Sequence, residues 1–143
     1  MSSNYTGEGE PTVAKPKETS TVYLSGSGPR SEVDPFGIPP KQPGAKLDGG
    51  KISVCRGALH YFPRAIRAIA QLSTIGARKY SWKGWQDVPD GIHRYGDAMA
   101  RHELCIEDDF TRRDGDTGVL EATAVAWNSV ARLELILREM ENK

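Results

Sequence analysis

Apolar positions recur at helical spacing in three stretches of the second two-thirds of the chain. In the first, Ile66, Ile69, Leu72 and Gly76 share a face, with Ala65, Ala68 and Ala70 filling in, while Arg64, Arg67, Gln71 and Arg78 form the wet side. The pattern predicts a helix from Phe62–Pro63 to about Lys79–Tyr80. Proline suits the first helical position because its missing N–H would have had no partner there. The breakers Gly84 and Pro89-Asp90-Gly91 follow. A second helix is expected after "VPDGIH", with Ile92, Tyr95, Met99, His102 and Ile106 as its stripe, running to about Asp108. Arg94, Asp97 and Arg101 lie on its opposite side, where side chains four apart can meet.

The third predicted helix is the longest. Asp116 or Thr117 is placed to cap it, and Glu121 sits near its first turns. Val119, Ala122, Ala126, Val130, Leu133, Leu137 and Met140 make its apolar stripe, widened by Trp127, Ala131 and Leu135. Such a face is wider than two partner helices of one small domain can cover, which predicts a homodimer or homotetramer; the alternative is that the N-terminal tail covers it. No strand–helix alternation, GxGxxG or GxxxxGK[ST] is present, which argues against a doubly wound sheet. The expected fold is therefore all-α, a small bundle of three main helices completed by oligomerisation.

Residues 1–49 read differently. They hold most of the prolines and much of the glycine, with apolar residues too scattered to bury the area that would offset ordering them. An irregular tail is expected, with a short strand at "TVYLS" (residues 21–25), and a folded domain over 50–143. Met1 is not followed by a basic and then apolar run, so no signal peptide is expected. No apolar run approaches the ~20 residues of a membrane helix. Nineteen basic and nineteen acidic residues give zero formal charge, hence no global field to attract nucleic acid. The expected setting is cytoplasmic, without nucleic-acid or membrane partners. Cys55 and Cys105 show no zinc spacing and are expected as reduced thiols.

Two constellations carry candidate chemistry. Glu103 and Glu107 lie four apart on helix two, Asp108 follows, Glu121 begins helix three and Asn128 lies two turns further on. If these helices pack antiparallel, Glu103, Glu107 and Glu121 converge, an oxygen-rich cage of the kind Mg²⁺ or Mn²⁺ takes. On spacing alone, the same acids also read as a solvated helix face. His102 falls on the apolar stripe, where a hydrogen-bonded core residue is the commoner role. The other constellation is "ARKYSWKGW", in which Arg78, Lys79, Tyr80, Trp82, Lys83 and Trp85 crowd past the end of helix one. Cations there suit phosphate oxygens and rings suit a base. Equally, the tryptophans plug an interhelical gap and the cations are solvated.

"GALHYFPRAIRAIAQLSTIGARKYSWKGW", "YGDAMARHE" and "DTGVLEATAVAWNSVARLEL" together resemble the phage dATP/dGTP diphosphohydrolases (MazZ-type), all-helical relatives of the MazG and HisE nucleotide pyrophosphohydrolases. Gly76-Ala77-Arg78-Lys79-Tyr80, Trp85, Tyr95-Gly96, Arg101-His102, Thr117-Gly118, Trp127-Asn128 and Leu133-Glu134 carry the resemblance, which covers about Gly50 to the C-terminus. The chain departs from the family where Glu121 and Ala124 replace histidines, and from MazG in lacking paired acids on helix one.

The resemblance implies hydrolysis of a purine (d)NTP, above all dGTP, to the (d)NMP and pyrophosphate. In an infected cell that product would feed synthesis of 2-aminoadenine nucleotides. It implies two or three Mg²⁺ or Mn²⁺ ions held by Glu103, Glu107 and Glu121, with Asp108. It further implies phosphate contacts from Lys79, Arg101 and Lys51, a base pocket from Tyr80, Trp82 or Trp85, and Asn128 orienting a bound group or reading the sugar or base. Two rival readings stand beside it. One is a non-catalytic, sponge-like nucleotide-binding phage protein, and the other a structural helical adaptor.

Overall fold

The computed structural model describes residues 33–143, and the expected strand at residues 21–25 lies outside them. Three α-helices organise the described residues: α1 (Pro63–Lys79), α2 (Gly91–Asp108) and α3 (Glu121–Glu141). A π-helical turn at Cys55–Leu59 leads into α1, and a 3-10 turn at Gly84–Asp87 lies between α1 and α2. The described residues contain no strand; Arg113 and Leu120 form a single antiparallel bridge. The all-α expectation holds.

Helix α1 starts on Pro63 and ends as expected, where the Tyr80 N–H donates to Gly76 O at 2.9 Å. Helix α2 begins at Gly91, two residues before the end of the "VPDGIH" run that was expected to precede it. Helix α3 packs closely on α2 and less closely on α1, while α1 and α2 scarcely meet. A methyl group in place of the Gly91 hydrogen would stand 2.7 Å from Leu135 Cδ1. One at Gly96 would stand 3.4 Å from the Arg132 guanidinium. His102, further along α2, reaches Glu121 at the start of α3. The order of these contacts makes α2 and α3 antiparallel, and the two glycines let their backbones approach.

The packed face of α3 matches the predicted one only in part: Val119 and Ala131 are buried, and Trp127 and Leu135 pack against neighbouring residues. Its buried residues are Glu121, Thr123, Ala124, Asn128 and Ala131. Ala122, Val130, Leu133 and Met140 of the expected stripe are exposed, and Ala126 and Leu137 are half-buried. The physical reason is reach. Small side chains at 124 and 131 admit α2 closely, and of the buried polar residues there Glu121 and Asn128 find side-chain partners, so the bulkier stripe is left outside. A third correction concerns the helix start. Asp116 and Thr117 do not cap α3, which has Leu120 at its N-cap.

Aromatic residues tie the loop between α1 and α2 to α3. Trp85, Tyr95 and Trp127 meet edge-to-face, with centroids 5.7–6.4 Å apart. Trp127 Nε1–H donates to Ser73 Oγ at 2.8 Å, and Tyr95 O–H donates to Trp85 O at 2.8 Å. Burial pushes the Tyr95 phenol above its ordinary pKa. Ahead of the helices, residues 33–50 form an ordered loop centred on Asp34. Its carboxylate accepts the N–H groups of Lys46 at 2.7 Å, Phe36 at 2.8 Å and Ile38 at 3.4 Å.

Candidate functional site

The connection from α2 to α3 is a tight hairpin. Asp114 N–H donates to Val119 O, and Glu121 N–H to Arg112 O. Gly118 takes φ +72°, a left-handed conformation that glycine adopts without a Cβ penalty. Asp114 Oδ2 accepts both the backbone N–H of Thr117 (2.8 Å) and its hydroxyl (2.6 Å). The sequence Asp114-Gly-Asp-Thr117-Gly is thus a side-chain-closed turn, because a short acidic side chain competes for nearby backbone donors. The Thr117 hydroxyl, with help from its N–H, holds the Asp114 carboxyl below its ordinary pKa against partial burial.

This hairpin sets Asp114 against the α2–α3 junction. His102 Nδ1 pairs with Glu121 Oε2 at 2.5 Å. One donor atom each from His102, Asp114 and Glu121 all lie within 4.8 Å of one another. Glu121 is only 5% exposed. A carboxylate so enclosed is costly unless paired, and the imidazole supplies that partner.

Glu121 meets His102 and Asp114 here, and Glu103 and Glu107 are not part of that group. One residue is a turn of 100° about a helix. His102 reaches Glu121 on α3, and Glu103 and Glu107 lie round the helix from it. They line an open, mainly apolar groove of about 450 Å³ with Met99, Leu104 and Val125. Asp108 ends α2 and is exposed. Asn128 is buried and its Nδ2–H donates to Ala124 O at 2.8 Å, within its own helix.

The cation-rich run divides. Lys79 Nζ donates to Asp116 Oδ2 at 2.7 Å, which brings the end of α1 onto the hairpin that carries Asp114. The Asp116 hydrogen bond and charge hold the ammonium above its ordinary pKa. Lys79 also lies 5.5 Å from the centroid of the Tyr80 ring. Tyr80 and Trp82 are 77% and 70% exposed, with their rings toward solvent. Trp85 instead belongs to the aromatic cluster. Arg101 is exposed on α2, next to His102 in the chain, and Lys51 is exposed before the π turn.

Two cluster members were not among the sequence-derived metal ligands. Asp114 could have been found from its turn signature, and His102 from its place on the stripe facing α3 together with a buried acid at the start of the next helix.

Fold and site define a small all-helical protein with a mixed nitrogen and oxygen donor cluster at a helix junction, flanked by a lysine from a neighbouring helix. The family profile described as dATP/dGTP diphosphohydrolase, N-terminal, matches residues 41–143, and the chain belongs to that family. No curated protein and no solved structure matches it significantly.

Proposed function

We propose that the protein hydrolyses a purine deoxynucleoside triphosphate, above all dGTP, with water adding across the α–β phosphoanhydride to give the monophosphate and pyrophosphate. The observation that carries this reading, within a family described by that activity, is the convergence of His102, Asp114 and Glu121 beside a hairpin on which Lys79 is docked. A divalent cation, of which the reaction is expected to use Mg²⁺ or Mn²⁺, fits this site by charge. Two carboxylates and one imidazole form an anionic, partly enclosed donor set, and His102, Asp114 and Glu121 would hold an ion there. A bound divalent ion supplies neutralisation of phosphate charge and polarisation of water.

The chain's own residues supply the rest. Lys79 exchanges Asp116 for a phosphate oxygen, since both are anionic acceptors for one ammonium. Arg101 and Lys51 add positive charge toward the triphosphate. Tyr80 and Trp82 offer flat, exposed surfaces to a purine, whereas Trp85 is held among Tyr95 and Trp127. Glu103, Glu107 and Asp108, exposed at the same end of α2, take up further ions that arrive with the nucleotide. In a phage-infected cell the dGMP formed would supply 2-aminoadenine nucleotide synthesis.

The test is a panel of the eight common NTPs and dNTPs with Mg²⁺ or Mn²⁺, products being separated by chromatography. Monophosphate and pyrophosphate from dGTP or dATP support the reading. Absence of turnover with every nucleotide, or release of inorganic phosphate alone, rejects it. Tight nucleotide binding without turnover would instead mark a sponge-like binding protein.

A further inference from the structure

We infer that His102, Asp114 and Glu121 form a one-ion site that selects a borderline first-row transition ion, such as Fe²⁺, Co²⁺ or Zn²⁺, over Mg²⁺. This rests on the metal reading of the cluster and not on turnover. Three features argue for it. The first is donor chemistry: an imidazole nitrogen suits transition ions, whereas Mg²⁺ favours an all-oxygen shell and gives up its waters reluctantly. The second is charge. Two carboxylates meet beside one imidazole, which offsets at most one negative charge in either protonation state. A divalent cation balances both.

The third is geometry. Bonds of roughly 2.0–2.2 Å place neighbouring ligand atoms about 3 Å apart. The His102–Glu121 contact at 2.5 Å has only to open slightly, and Asp114, within 4.8 Å, to close. The backbone framework for this is already fixed. Asp114 is tied by Thr117, and Glu121 by its backbone N–H to Arg112 O. Three protein ligands also leave coordination positions open, the pattern of sites that admit water or a substrate oxygen rather than of closed structural sites.

The experiment uses the full chain, stripped with chelator and desalted, then equilibrated separately with Co²⁺ and Mg²⁺. Bound metal is counted by plasma mass spectrometry, and Co²⁺ is followed by its visible absorption. One Co²⁺ per chain is expected, bound at least tenfold more tightly than Mg²⁺. His102→Gln should weaken Co²⁺ binding at least tenfold and erase the preference over Mg²⁺. Asp114→Asn should weaken both ions, while Glu139→Gln, exposed near the end of α3, should change neither. Helical circular dichroism is required of each variant, and Asp114→Asn serves if His102→Gln does not fold. Equal affinity for Mg²⁺, unchanged Co²⁺ binding in folded His102→Gln, or no Co²⁺ binding to the folded chain would overturn the inference. One-ion binding without nucleotide turnover would sustain it while rejecting the proposed hydrolysis. Turnover with His102→Gln unaffected would do the reverse.

Discussion

Trp127 joins its helix to two other parts of the chain: its ring to Trp85 and Tyr95, its Nε1–H to Ser73. Trp127→Phe keeps most of the edge-to-face contact and leaves Ser73 without its donor. The expected cost is about 1 kcal/mol, read from urea unfolding. Trp127→Ala should cost about 3 kcal/mol. Asp34 permits a different measurement. The Lys46 N–H, opposed by burial and helped by those of Phe36 and Ile38, holds its carboxyl below the ordinary value. A lowered folded-state pKa stabilises the loop above the unfolded value of about 3.9. That contribution is lost as pH falls through the folded value beneath it. Hydrogen exchange should therefore show the Phe36 and Lys46 amides protected above the carboxylate range and released in acid. Asp34→Ala should expose them at every pH. The single residues the sequence revealed least were the paired ones. His102 looked like core and Glu121 like a cage member because pairing of an imidazole with a buried acid nineteen residues away has no local signature.

At the scale of elements, the three helices were legible because their apolar spacing is regular and Pro63 and the Pro89-Asp90-Gly91 turn punctuate them. Two features were not. The start of α3 was displaced because Thr117 turns back to Asp114 instead of capping the helix. Its packed face was only partly anticipated: Ala131 was in the expected stripe, whereas Ala124, between buried Glu121 and Asn128, does not register as core beside Val130 and Leu133. Gly118 is the residue on which the hairpin turns. Gly118→Ala places a Cβ in the left-handed region and should cost about 1–2 kcal/mol. Because the same turn sets Asp114, metal retention should fall together with the thermal midpoint.

At the scale of the molecule, the enclosed apolar side chains among the described residues are few: Val119, Ala124 and Ala131. Thin cores of this size gain stability from association. Val130, Leu133 and Met140 stand exposed on one helix. Association through this stripe is expected, so that sedimentation equilibrium gives at least twice 15.7 kDa. Leu133→Glu, at a position 54% exposed, should then return a folded monomer. A monomeric wild-type chain would mean that the stripe stays wet.

His102, Asp114 and Glu121 all fall within the contiguous segment 102–121, whereas Lys79 reaches its partner from thirty-seven residues away. Short chain separations close quickly and distant ones slowly. The ligand cluster therefore assembles as one helix doubles back on the next, before α1 docks and delivers its ammonium. In refolding followed by stopped flow, the visible band of bound Co²⁺ should develop ahead of the fluorescence change of Trp85 and Trp127. On the proposed reading, the ion site is built first and the phosphate contact second.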